Sequence, residues 1–418
     1  MKNKYLLGLL TGILCTAMLF GIVFTGYNIL GNNNSNYNNI TQGNDNSNDD
    51  EATSATINSE LQKKLTLIKG LVNNYYLGEV TEEQYTTGML KGLMEALDDP
   101  YSCYYTKEEY ASLMESSSGV YCGIGAYVSQ NVTTGIITIV KPFVDGPAYN
   151  AGILPGDTIY KVNGEEVTGT DLTKVVGNMK GEEGTEVTVT IVREGEKEPI
   201  DFVIKRGTVE VPTIAFEMLE DKIGYIYISE FDEITVTQFK SAISDLLDEG
   251  MKGLVIDVRD NPGGLLDACV KMLDRLLPKG LLVYQEDKNG TRLSENYADN
   301  KEELDMPMAV IVNGNSASAS EIFSGALQDY KKATIVGTQS FGKGIVQSVF
   351  PIGDGSAIKV TISKYFTPNG RNIHGTGIEP DKIVELDESL SKKVVIEHEE
   401  DNQLQAAIEV VKEQLSSK

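Results

Sequence analysis

The chain reads as an α/β protein: a core with a largely parallel sheet carries an inserted β-rich module, with helical segments at both ends and a membrane-spanning helix at the N-terminus. Three observations lead there. From about Val209 to Leu386 short apolar strands alternate with helical stretches. Between Val120 and Arg206 the pattern turns to short alternating strands separated by Gly, Pro and Asn turns. Residues 5–30 carry no charged side chain at all.

Tyr5 to Leu30 is long enough to cross a bilayer as a helix, and Lys2 and Lys4 before it would stay in the cytoplasm, so everything after Leu30 would lie outside. A cleaved signal peptide is the alternative, but no small-x-small pattern follows the apolar run, only Phe24-Thr25-Gly26-Tyr27, and the retained anchor over 1–30 is favoured. A lipidated Cys15 would need a small residue directly before it, and Leu14 stands there. Residues 31–57 are rich in Asn, Ser, Asp and Thr and cannot offset their ordering entropy by burial, so they form a disordered tether.

Over 58–117 apolar residues recur at helical spacing, as in Leu61, Leu65, Ile68, Leu71 and Val72, then Met89, Leu90, Leu93 and Leu97, with a stop at Asp98-Asp99-Pro100. The module over 118–207 holds strands at Ile136–Val140, Asp157–Val162 and Glu186–Val192. The core over 208–386 alternates strands at Ile223–Ser229, Gly253–Val258, Met308–Asn313 and Ala333–Val336 with helices at Val236–Leu247, Leu265–Leu277 and Ser320–Leu327. In the tail, 387–418, Leu404, Ile408, Val411 and Leu415 share one helical face, expected to pack on the body or on a second subunit.

Composition narrows the function. With 36 basic against 61 acidic residues the net charge is −25, which argues against a phosphate-binding surface and hence against nucleic acid as a partner. Cysteines at 15, 103, 122 and 269 imply no disulfide framework; Cys103 and Cys122 could pair, but isolated thiols are the simpler reading. His374 and His398 are the only histidines, no third ligand accompanies them, and both read as solvated surface residues, so no metal site is expected.

The chemistry concentrates in two places. Asn315-Ser316-Ala317-Ser318-Ala319-Ser320-Glu321 offers hydroxyls, and Lys343 follows 25 residues after Ser318, between Gly342 and Gly344. With histidine so scarce, a deprotonated lysine is the available base for a serine nucleophile. An amine with an ordinary pKa of about 10.4 is a poor base at neutral pH, and bringing it near neutrality takes roughly 4 kcal/mol of differential solvation, so Lys343 must be desolvated. Ser318-x-x-Glu321 is equally a capping box opening a helix. Residue type alone does not choose among Ser316, Ser318 and Ser320. Asn261-Pro262-Gly263-Gly264 reads as a tight turn after a strand, and Tyr121-Cys122-Gly123-Ile124-Gly125-Ala126 lacks the lysine of a phosphate loop.

Together with Asp257-x-Arg259 before that turn, Thr367-Pro368-Asn369-Gly370-Arg371 and Gly377-Ile378-Glu379-Pro380-Asp381, these motifs resemble the C-terminal processing peptidases, or tail-specific proteases, over about 58–415. The resemblance implies a crotonase/ClpP-like serine protease core with an inserted PDZ domain. It makes Ser318 the nucleophile, Lys343 its general base and Gln347 the residue that orients the lysine, with Glu321 and Asp329 as supporting acids. Gly263 or Gly264, with Ala319 at a helix N-terminus, would supply oxyanion donors. In the PDZ reading Gly123, Ile124, Gly125 and Ala126 cradle a substrate's terminal carboxylate, while Lys180 stands where the family often has arginine. The expected protein is a membrane-anchored, extracytoplasmic endopeptidase working through an acyl-enzyme on protein tails, without cofactor or metal, and as a homodimer by resemblance only. An inactive tail-binding scaffold is the rival; an acyl-CoA enzyme of related architecture leaves the peptide-binding module without a purpose.

Overall fold

A computed structural model describes residues 58–299, 301, 303–390, 393 and 396–417. They fall into two compact units, one of Ala111–Gln347 with the chain from Ile362 onward, the other of residues 58–110 with Ser348–Thr361. The expected membrane helix and tether, 1–57, lie outside the described residues, and among those described no helix is long and apolar enough to cross a membrane.

In the smaller unit, α1 (Ser59–Tyr75) begins at Asn58, whose side chain accepts the Leu61 N–H at 2.8 Å, and α2 (Glu82–Glu95) begins at a reciprocal capping box of Thr81 and Gln84. No residue of α1 is buried. β1 (Cys103–Tyr105) pairs antiparallel with residues 357–359, and α3 (Lys107–Ser118) follows it in the chain.

In the larger unit the β-rich module opens with β2 (Val120–Gly123). Then come β3 (Ala126–Gln130), β4 (Ile137–Pro142), β5 (Thr158–Val162), β6 (Glu165–Glu166), β7 (Glu186–Val192) and β8 (Ile200–Lys205), and β9 (Gly207–Glu210) closes it. β2 and β9 pair antiparallel from Val120↔Glu210 to Gly123↔Gly207, so the chain enters and leaves through one two-stranded ribbon, as an insertion requires. Its sheet runs β3-β4-β5-β7-β8, and alternate residues such as Ile137, Ile139, Val187, Val189 and Ile191 form its core. Two helices that the sequence did not announce, α4 (Pro147–Ala151) and α5 (Leu172–Met179), are too short to show a periodic pattern.

The second sheet has the order β10 (Ile214–Met218), β11 (Ile223–Ile228), β12 (Gly253–Asp257), β15 (Met308–Val312), β16 (Thr334–Gly337) and β19 (Lys382–Ile383), parallel throughout except for β10–β11. Every residue of β12 and β15 is buried, which explains their unbroken apolar runs. Ile226, Leu254, Ile256 and Val310 point to the face covered by α6 (Glu233–Asp248), α7 (Leu266–Leu276) and α8 (Ala319–Asp329). Val255, Ala309 and Ile311 point the other way, onto α9 (Asn402–Ser416), whose Leu404, Ala407 and Val411 are fully buried there. The tail helix therefore packs on its own chain.

Between β12 and β15 lies a hairpin of β13 (Gly280–Glu286) and β14 (Arg292–Ala298); β13 also pairs antiparallel with the end of β18 (Ala357–Phe366), Gln285 opposite Tyr365. β17 (Ile345–Pro351) precedes β18. The loops leaving the C-terminal ends of the parallel neighbours β12 and β15 lie side by side, the usual place for a site in such a sheet.

Cys103, Cys122 and Cys269 are free thiols. His374 is exposed, whereas His398, expected at the surface, has its ring half-buried 5.0 Å from that of Tyr225.

Candidate active site

The segment after β15 is tied to the loop after β12. Ser316 Oγ donates to the Val258 carbonyl at 2.7 Å, Ala317 N–H donates to the Asn261 carbonyl at 3.0 Å, and Ser320 Oγ donates to the same carbonyl at 2.9 Å. Between these anchors Ser318 takes φ 55° and ψ −113°, a strained conformation for a residue with a side chain. Its hydroxyl is 1 % exposed by residue and makes no hydrogen bond among the described residues. Geometry thus separates the three serines: Ser316 and Ser320 spend their hydroxyls on backbone, and Ser318 does not. A buried polar atom without a partner needs a reason, and a reacting atom is one.

Lys343 lies in the loop between β16 and β17 and is buried, 7 % exposed, as the need for desolvation requires. Gln347, four residues on in β17, is buried too. What brings this loop to Ser318 is Glu321. Its fully buried carboxylate takes Ser340 Oγ at 2.6 Å and Gly342 N–H at 2.7 Å on Oε1, and Lys343 N–H at 2.8 Å and Ser318 N–H at 2.9 Å on Oε2. Burial pushes this carboxyl above its ordinary range, and the four donors oppose the shift. The expected capping box of Ser318 and Glu321 is therefore present at the start of α8, with its Glu321 half hydrogen-bonded and the Ser318 hydroxyl placed toward the Glu321 amide without a hydrogen bond to it.

The glycines beside Lys343 let another loop lie directly upon it. A β-carbon on Gly344 would fall 2.4 Å from His374 N, and Gly342 sits at φ +91° against the backbone of 375–377. On the far side the Tyr365 hydroxyl lies 2.5 Å from the Lys343 carbonyl oxygen and 3.1 Å from that of Ser318. The hydroxyl–amine hydrogen bond of general-base catalysis is not made in this structure; the two residues are joined through their backbones, and such bonds often tighten only with substrate.

The expected oxyanion residues also converge. Gly263 has φ +109°, and a β-carbon there would lie 2.8 Å from Ser318 Cβ and 2.9 Å from Ala319 N, so only glycine fits. Its N–H donates to Asn261 Oδ1 at 2.8 Å. Phe231 bonds the groups flanking Gly264, namely the Gly263 carbonyl and the Leu265 N–H, which leaves the Gly264 N–H on the strand's other side. Ala319 N–H opens α8, where amides have no intrahelical acceptor.

Sequence reasoning missed three features. Asn261 is fully buried and links β11, through Nδ2 to the Ile228 carbonyl at 2.9 Å, with both site loops; its place ahead of Pro-Gly-Gly was the available signal. Tyr365 gave no local signal. Arg259 joins Asp257 to Asp401, the N-cap of α9, while Tyr225 donates to Asp257 at 2.9 Å. Beside the Phe231–Gly264 bridge, burial pushes Asp232 up to about 8, helped by the charges of Glu230 and Glu233.

Asp329 is not brought to the site. It stands at the far end of α8, about 16 Å along the helix from Ser318, and fixes the Thr367–Arg371 turn by accepting Asn369 N–H at 2.8 Å and pairing with Arg371. In the β-rich module, Gly123, Ile124, Gly125 and Ala126 form the link from β2 to β3, with Ile124 buried and Gly125 at φ +72°. Lys180, the C-cap of α5, lies beside Gly123, pairs with Glu115 and sits 4.7 Å from the Tyr121 ring centroid.

Comparison with known proteins gives three family matches: Peptidase family S41 over 222–384, a PDZ domain over 140–193, and the N-terminal domain of the activating protease CtpB over 16–109. A "Probable CtpA-like serine protease" of Staphylococcus saprophyticus is 39 % identical over 325 residues, 77 % of this chain and 65 % of that protein. One of the same description from Staphylococcus aureus strain COL is 39 % identical over 342 residues, 81 % of this chain and 68 % of that protein. The chain spans about 65 % of the length of the curated relatives it matches. A solved photosystem II D1 C-terminal processing protease is 27 % identical with TM-score 0.46, covering 79 % of this chain and 94 % of that one.

Proposed function

The chain belongs to the CtpA-like serine proteases of peptidase family S41, and from that premise we propose that it is a serine endopeptidase that takes protein C-terminal tails in its PDZ domain and cleaves peptide bonds through a Ser318 acyl-enzyme. The observation that carries this reading is the unpartnered hydroxyl of a strained Ser318 beside a buried Lys343, with both backbones on one Glu321 oxygen. Lys343 Nζ takes the hydroxyl proton as Oγ attacks the scissile carbonyl, and Gln347 orients the amine. The negative oxygen that forms is met by Ala319 N–H and the Gly264 amide, helped by the α8 dipole. Lys343 then passes the proton to the leaving amine, and water releases the acyl group by the reverse route.

The uncharged run Tyr5–Leu30 behind Lys2 and Lys4 supports an anchor in the cell membrane with the catalytic region extracytoplasmic. The Gly123–Ala126 link and Lys180 supply amides and a cation for a terminal carboxylate. Exposed Leu61, Leu67, Ile68 and Leu71 of α1 support pairing with a second copy. Full-length protein in detergent is expected to cleave an unfolded protein, and Ser318→Ala or Lys343→Ala to abolish cleavage. Tail-peptide binding without turnover in the wild type would favour the scaffold reading instead.

A further inference from the structure

We propose that Tyr365 is a positioning residue of this reaction: its hydroxyl staples the backbones of Ser318 and Lys343, so that nucleophile and base keep one relative placement. The inference rests on the Ser/Lys reading above. Tyr365 is fully buried in β18, and its hydroxyl oxygen lies 2.5 Å from the Lys343 carbonyl and 3.1 Å from the Ser318 carbonyl. A phenol carries one proton, so the bond is three-centred and weighted to Lys343. The Ser318 carbonyl already receives the Glu321 and Ile322 amides at 2.9 and 3.0 Å. Burial pushes the phenol well above its ordinary range, so the proton needed for donation is retained through neutral pH.

The staple is itself anchored. Tyr365 N–H donates to the Gly344 carbonyl at 3.2 Å, and Asn372 Nδ2 donates to the carbonyls of Tyr365 at 2.8 Å and Gly344 at 3.3 Å. The ring therefore cannot shift without carrying the Lys343–Gly344 loop along. Glu321 joins the two residues through their amides, and Tyr365 joins them through their carbonyls. One bridge holds the peptide unit before each residue and the other the unit after it, so rotation as well as distance is fixed. A hydroxyl with a purely structural role would stabilise the fold and leave chemistry in the folded molecule unchanged, whereas small misplacements of reacting groups are felt in kcat.

The test uses the full-length protein carrying Tyr365→Phe, with kcat and KM on a tail-bearing peptide and the rate of Ser318 phosphonylation by a fluorophosphonate, all at a temperature where melting curves show it folded. A kcat about tenfold lower or more is expected at unchanged KM, with phosphonylation slowed alike. Placing 4-aminophenylalanine at 365, which restores a donor on the same ring, should recover both rates. Asn372→Ala, which frees the two anchored carbonyls without opening the core, should lower kcat in the same direction, and it carries the test if Tyr365→Phe does not fold. Wild-type kcat in the phenylalanine variant, or in Asn372→Ala if that variant stands in, overturns the inference, as does a loss that the amino side chain does not restore. Ser318→Ala in the same assay separates the two levels: an inert Ser318→Ala with a fully active Tyr365→Phe sinks the staple alone, and an active Ser318→Ala sinks the reading beneath it.

Discussion

The backbone amides of Ser318 and Lys343 donate to one and the same oxygen, Oε2 of Glu321, at 2.9 and 2.8 Å. A single buried carboxylate thereby sets the distance between a candidate nucleophile and its candidate base, although 25 residues and a complete strand separate them in the chain.

Glu321→Gln keeps the volume but replaces one oxygen by an NH2 group, and two of the four donors then face a donor. Loss of charge-assisted bonds in a buried site is expected to destabilise the protein by about 2–3 kcal/mol and to lower kcat at least 100-fold by releasing the loop. Urea unfolding and peptide hydrolysis report the two effects separately. A stable, fully active variant would show that the clamp is dispensable.

Gly263→Ala adds a methyl group that would overlap the Ala317 carbonyl oxygen, Ser318 Cβ and Ala319 N at 2.8–2.9 Å, at a φ of +109°. Two of these contacts are backbone and the third is the β-carbon of Ser318, so none can yield cheaply. Activity should fall by more than about 100-fold, while tail-peptide affinity, measured by fluorescence anisotropy, should stay as in the wild type. Activity within a factor of two of the wild type would place the oxyanion donors elsewhere.

Arg259→Ala leaves Asp257 and Asp401, both buried, without their shared cation. Breaking such a pair costs about 3–5 kcal/mol, and α9 should loosen first because Asp401 caps it. Burial alone would raise the Asp401 carboxyl, but the Arg259 bonds and charge and the α9 amides hold it below its ordinary range. The stabilisation is therefore present above the usual carboxylate range and lost as pH falls through the lower folded value. Hydrogen exchange over 402–416 should accelerate in the variant at neutral pH, and unchanged protection there would refute the link.

Asp232 behaves with the opposite sign. Its folded pKa, about 8, lies above the ordinary 3.8, so folding favours the protonated acid; stability is greatest below the ordinary value and declines as pH rises toward 8. Asp232→Asn keeps an N-capping side chain on α6 and cannot ionise. It should exceed the wild type by about 1–2 kcal/mol at pH 8 and match it near pH 4. A gap that widens as pH falls would contradict the assignment.

Much of this was legible from local pattern. β7 lies at Glu186–Val192 as its alternation indicated, and α8 extends the expected Ser320–Leu327 by a residue or two at each end. The buried runs of β12 and β15 announced a covered parallel sheet. Illegible were the features made by residues remote in sequence. Ser316, Ser318 and Ser320 look alike until their hydroxyl partners are seen, and Glu321 looks like a cap because three of its four donors come from 19 to 22 residues on. Asp329 was expected as a supporting acid by family resemblance alone, but a helix of eleven residues sets its two ends far apart. Tyr365 offered only an aromatic residue in a strand.

The most direct test is peptide-mapped mass spectrometry of the full-length protein after treatment with a fluorophosphonate. One adduct on Ser318 is predicted, absent from Lys343→Ala and retained in Ser316→Ala and Ser320→Ala. An adduct on another serine, or full labelling of Ser318 without Lys343, would contradict a lysine-activated Ser318.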